Sequence, residues 1–160
     1  MNNTPWFRAR LVVYLCLLLL YGCVSSDPSL KLWNARIPAG TWLVFEGILP
    51  CADCRGIKTR LELFVDQNNP EPPFILKQEY IGANEGERTS VRSGMYGISV
   101  NTFRDAETAV FVLNPYERNN RMYFLHVSFD TIKLLNQQMG EIPSTMNHLL
   151  IRTETIREKQ

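Results

Sequence analysis

The sequence predicts an all-β fold, a small antiparallel barrel of eight strands. Three observations carry that reading. From Thr41 onward the chain falls into eight short apolar or alternating runs. The breaks between them are brief and rich in turn residues. No stretch repeats its apolar residues at helical spacing. Successive strands joined mostly by hairpins close most simply into an up-and-down barrel, because closure removes the exposed edges. A sandwich needs longer crossovers than this chain has room for.

"TWLVFEGIL" opens the series with aromatic and β-branched residues. "IKTRLELFV" alternates cleanly: Ile57, Thr59, Leu61, Leu63 and Val65 point one way, Lys58, Arg60 and Glu62 the other. That period of two marks a half-buried strand. "DQNNPEPP" breaks the chain, "FILKQEYIG" resumes it and "ANEGER" turns it. In "TSVRSGMYGISV", Gly94 and Gly97 suggest a bulge or a sharp bend. "AVFVLN", "RMYFLHVSF", "TIKLLN" and "HLLIRTE" complete the set, and "RTETIREKQ" reads as a charged, frayed end. The expected barrel domain spans residues 41–155.

The other end of the chain sets the compartment. Arg8 and Arg10 precede an uninterrupted apolar stretch, Leu11 to Tyr21. That stretch is short for a bilayer span and right for a signal-peptide core. It ends in Leu20-Tyr21-Gly22-Cys23, which resembles a bacterial lipobox, with Tyr21 a departure from the usual small or aliphatic residue. Residues 1–22 are thus expected to be a signal peptide and Cys23 to carry acyl chains, palmitate among them. Several acyl chains make a durable membrane anchor. Residues 23–40, with Pro28, Pro38 and Gly40, read as lipidated cysteine and tether, roughly 25 Å across as a flexible coil. Val24 follows the acylated cysteine, so outer-membrane sorting is expected.

Loss of the signal segment takes 17 basic residues to 15, against 16 acidic. Such a balance gives no electrostatic footprint for nucleic acid and no basic patch for anionic lipid. Cys16 leaves with the signal peptide and Cys23 is acylated, so Cys51 and Cys54 are the only thiols of the body. A disulfide framework is excluded; at most one local bridge forms.

The stretch "FEGILPCADCRGIKTRLEL", followed by "EYIGA", resembles the N-terminal domain of the NlpE family of envelope lipoproteins. The pattern is carried by Phe45, Gly47, Leu49, Pro50, Cys51, Ala52, Asp53, Cys54, Gly56, Ile57, Thr59, Leu61 and Leu63, and more loosely by Tyr80-Ile81-Gly82 and Ser93 to Tyr96. The resemblance implies a lipocalin-like eight-stranded barrel on a lipid anchor, with a part in copper resistance and in surface or envelope stress sensing. Longer members carry a second, C-terminal β domain; with Gln160 as the last residue here, roles that depend on that domain are not carried over.

Cys51 and Cys54 are the candidate site. A thioredoxin-type centre needs its CxxC at a helix N-terminus, and here Gly56 leads straight into a strand. Cu(I) is soft and prefers thiolates, so two reduced cysteines could hold it. Zinc wants four ligands, and there is no second cysteine pair. Outside the cytoplasm, oxidation to a Cys51–Cys54 bridge competes, and it is the expected resting state. Bridge and dithiolate copper site are alternative states of the same atoms. His126 and His148 sit at no ligand spacing, and the methionines are scattered.

No GxSxG, zinc-protease helix or phosphate loop appears, so no enzyme is expected. An alternative is a barrel that holds a small apolar ligand or lipid, with the CxxC only a structural disulfide. Expected partners are the membrane, through the anchor, and an envelope-stress sensor kinase or another envelope protein.

Overall fold

The computed structural model describes residues 37–66, 68–82, 88–103 and 106–157. The expected signal peptide, Cys23 and the tether up to residue 36 lie outside the described residues.

Eight strands follow in order: β1 Thr41–Leu49, β2 Gly56–Val65, β3 Pro73–Ile81, β4 Arg88–Phe103, β5 Ala106–Leu113, β6 Met122–Ser128, β7 Thr131–Leu134 and β8 Leu149–Arg157. Each is antiparallel to the next, and β8 pairs with β1 to close the barrel. The only helical turn among the described residues is a single 3-10 turn, Arg118–Asn120. The expected barrel is therefore the observed one.

Alternation builds the interior. On β2 the residues Thr59, Leu61, Leu63 and Val65 are buried, whereas Lys58 is exposed and Arg60 and Glu62 are half-exposed. Leu43, Phe45, Leu61, Leu63, Phe74, Leu76, Phe111, Leu113, Phe124, Ile132 and Leu150 join in one inward-facing core. Ile37, in the stretch expected to be tether, belongs to that core at 3 % exposure. Fully burying an aliphatic or aromatic side chain contributes about 1.5–3 kcal/mol, so these residues dominate the stability.

Two strands are buried on both faces. Val110, Val112, Tyr123 and Leu125, opposite in parity to the core residues of β5 and β6, form a second cluster with Leu135. Met139 packs against it, and the segment after β7 is held there by Leu135 N–H donating to Tyr123 O (2.9 Å). The continuous apolar runs "AVFVL" and "YFL" follow from this double burial.

β4 changes partners midway. Its Arg88–Met95 half pairs with β3 and its Tyr96–Phe103 half with β5, so the handover falls between Gly94 and Gly97. A Cβ on Gly94 would lie 2.2 Å from Asn114 Oδ1 and 3.0 Å from Phe74 Cε1, so a larger residue there would have to displace the Asn114 side chain of the β5–β6 turn.

One expectation is corrected. The "RTETIR" part of the C-terminus does not fray: β8 runs to Arg157 and pairs with β1 as far as Thr41, across one register shift between Val44 and Phe45. Glu154 faces outward, whereas Arg152 sits opposite inward Phe45, its guanidinium 3.9 Å from the Phe129 ring centroid, and the open edge of β1 supplies the backbone partners.

Candidate functional site

The cysteines occupy the β1–β2 hairpin loop. Leu49, paired with Ile57, is the last ladder residue of β1 and is buried. Pro50 has no N–H to offer a neighbouring strand, and the ladder stops there. Residues 50–55 then turn the chain, with Ala52, Asp53 and Arg55 exposed and both cysteines half-buried. Cys51 and Cys54 are joined as a disulfide, Cα to Cα 5.3 Å. Cys54 Sγ lies 3.3 Å from Gly56 O; once reduced, the thiol has an acceptor ready for its proton.

The nearest cations serve the scaffold. Arg55 N–H donates to Ile81 O at 2.9 Å, extending the β2–β3 ladder. Its guanidinium lies over Gly82, a left-handed residue (φ 65°) where a Cβ would fall 2.5 Å from Arg55 Nε. Lys58 Nζ is 4.0 Å from Glu79. The loop leads into a strand, so it lacks the helix terminus that would acidify a catalytic thiol.

As a metal site the donor set is the sulfur pair itself. Among the described residues no three of His, Cys, Asp and Glu come together as a metal-holding group. Two thiolates without a third donor fit a soft monovalent ion such as Cu(I) and fall short of zinc's four ligands. In the disulfide state neither sulfur is a thiolate, so binding requires reduction first.

The histidines lie elsewhere. His148 is buried, with Nδ1 2.9 Å from Met146 O. His126 shares the inward face of β6 with Met122 and Phe124 and meets the Phe111 ring edge-on at 6.3 Å. Burial lowers its pKa below the ordinary 6.5.

One inward residue escaped the sequence reading. Arg92 Nη2 donates to Gln78 Oε1 (3.0 Å) and contacts Met122 Sδ (3.3 Å). It has no carboxylate partner among the described residues, and it lines a recess of about 310 Å³ between β4 and the β5–β6 turn. The signal was available: Arg92 has the same parity on β4 as the core residue Tyr96. On that inner face the Tyr96 hydroxyl donates to Phe64 O (2.9 Å), and burial raises its pKa.

A closed antiparallel barrel with a cysteine-bridged hairpin is the class that fold and site define. Residues 45–145 match the family model of the NlpE N-terminal domain, and the chain belongs to that family. Among curated proteins it is similar to Lipoprotein NlpE of Escherichia coli (strain K12), 26 % identical over 106 residues. That alignment covers 66 % of this chain and 39 % of the relative, so the chain matches well under half of that protein's length. No solved structure gives a significant match.

Proposed function

We propose that the protein is a lipid-anchored envelope lipoprotein of the NlpE type, non-enzymatic, whose Cys51–Cys54 loop responds to copper or to redox state. On this reading Cys23 carries the acyl chains and the outer membrane is the location. The barrel displays the loop to an envelope-stress sensor kinase or another envelope protein. The observation that carries it is the hairpin loop at one end of the barrel, which holds two half-buried sulfurs between exposed residues. The chain enters at the opposite end, where Gly40 bonds to Val65, roughly 30 Å away along the nine residues of β1. Conversion between the states is balanced chemistry. An external dithiol delivers two electrons to the S–S bond and becomes a disulfide, leaving two thiolates for Cu(I) and releasing two protons to solvent.

The family relative is named a lipoprotein, which agrees with the lipobox-like Leu20 to Cys23. The alternative, a barrel holding a small amphiphile, draws support from the inward cation Arg92. Phe45, Phe74, Phe111 and Phe124, all fully buried in the interior, weigh against it.

Titration of the reduced full chain with Cu(I) against a competing chelator, beside the Cys51→Ser/Cys54→Ser variant, tests the proposal. Stoichiometric binding that disappears in the variant supports copper handling. Binding unchanged in the variant removes the loop from the metal chemistry. The variant is a fair control, since so small a ring contributes only about 2 kcal/mol by loop-closure entropy.

A further inference from the structure

On the outer face of the barrel one row of cross-strand neighbours is apolar throughout. Ile156 of β8 pairs with Trp42 of β1, and Trp42 with Phe64 of β2. Phe64 follows the Leu63–Phe74 pair by one position, which sets it beside Pro73 of β3. Pro73 in turn pairs with Met95 of β4. All five point outward, because the alternating neighbours Leu43, Leu63, Phe74 and Tyr96 are the buried ones. Ile156 and Met95 are 42 % and 48 % exposed. Pro73 is exposed, and Trp42 and Phe64 are half-buried with ring centroids 5.0 Å apart. Two rows further along the same strands, the outer face carries Glu46, Arg60 and Lys77.

Position gives this row its meaning. It spans the rim where the chain enters: Thr41 pairs with Val65 and with Arg157, and Gly40 N–H donates to Val65 O at 2.9 Å. The sequence before Ile37 holds the apolar stretch Leu11 to Tyr21 and Cys23. A coil of that tether's length keeps this rim within roughly 25 Å of whatever Cys23 is fixed to. At such range the bilayer surface is present at high effective concentration, so even weak apolar docking is well populated. A tryptophan amid aliphatic residues suits the lipid–water interface, where one side of the ring system is apolar and the other wet.

We propose that Ile156, Trp42, Phe64, Pro73 and Met95 form a lipid-facing belt that seats the barrel on the bilayer interface, with the Cys51–Cys54 loop pointing away from the membrane. The inference rests on the lipid-anchored reading above. It adds a direct contact between the folded domain and lipid that the anchor alone does not require.

The test uses the full acylated chain in vesicles of phosphatidylethanolamine and phosphatidylglycerol, with and without bromine on the acyl chains. The difference in tryptophan emission between the parent and Trp42→Phe isolates the Trp42 signal. Docking predicts that brominated lipid quenches this signal. It also predicts that an Ile156→Glu/Met95→Glu variant, with unchanged circular dichroism and still floating with the vesicles, loses the quenching. A chain that floats but whose Trp42 emission is the same in both vesicles overturns the docking and leaves the anchor standing. Trp42 shielded instead by a second copy, seen as concentration-dependent protection from aqueous quencher, also overturns it. A chain that does not float overturns anchoring and docking together.

Discussion

At Gly47 a hydrogen in place of a methyl group lets β8 approach. A Cβ there would lie 2.6 Å from Leu149 O and 3.0 Å from Leu150 Cδ2. The first contact is backbone of the closing strand and has little room to give. Gly47→Ala should therefore cost about 1–3 kcal/mol, as overpacking does, read as a lowered urea midpoint with unchanged slope. An unchanged midpoint would show that the β1–β8 seam is looser than its register. His126 makes a second prediction at this scale. Burial holds its folded-state pKa below the ordinary 6.5, so the unfolded chain takes up the proton first as pH falls. The neutral ring's contribution is complete above that ordinary value and is lost progressively below it. The melting midpoint should drop between about pH 7.5 and about pH 5.5, and His126→Gln should flatten part of that drop. Parallel profiles for parent and variant would assign the acid sensitivity to other groups.

The strands show what could be read in advance. β2 was legible because it meets the core on one face and water on the other, so its alternation prints directly into the sequence. The partner exchange on β4 was foreshadowed by Gly94 and Gly97, which flank it. The second face of β5 and β6 was not legible. Their apolar runs carry no period, and the cover comes from Leu135, at the end of the run "TIKLLN", and Met139, in a stretch whose polar residues read simply as loop. The charged face of β8 misled for the opposite reason: a strand with few buried residues looks like an end until β1 is seen to need it. The site divided likewise, with the cysteine pair plain from its spacing and Arg92 hidden in a strand. Across the outer face, Arg60 bonds Glu46 and Glu62 at 2.8 Å each and Glu154 at 3.4 Å, linking β2 with β1 and β8. These hydrogen bonds raise its pKa, the Glu62 bond most, so it stays charged at any working pH. Its side chain is 28 % exposed, which places the network nearer the surface case than the buried one. Arg60→Ala should cost about 1 kcal/mol in low salt and less at high ionic strength, where the pairs are screened. A loss independent of salt would point to packing of the Arg60 stem instead.

For the whole molecule the decisive step is closure. β1 and β8 lie at opposite ends of the domain, yet Thr41 pairs with Arg157, so the seam forms only after most of the chain is in place. Such non-local pairing makes folding slow, in the millisecond-to-second range typical of β barrels. Until the seam closes, β1 and β7 both present open edges, and β1 carries the inward residues Leu43, Phe45 and Leu49. An open, apolar edge of nine residues is a template for pairing with another chain. A chain ending at Asn147 loses β8 and with it Leu150, which is fully buried. That chain should lack a cooperative melt and should self-associate on size exclusion. A peptide of the sequence LLIRTETIR, supplied in trans, should restore a monomer-sized, cooperatively melting complex, because strand addition to an exposed edge reproduces the missing ladder. A truncated chain that stays monomeric and melts sharply would mean that β1 and β7 close directly on each other. The barrel would then hold with seven strands, and β8 would be a strap over the rim rather than the stave that completes the wall.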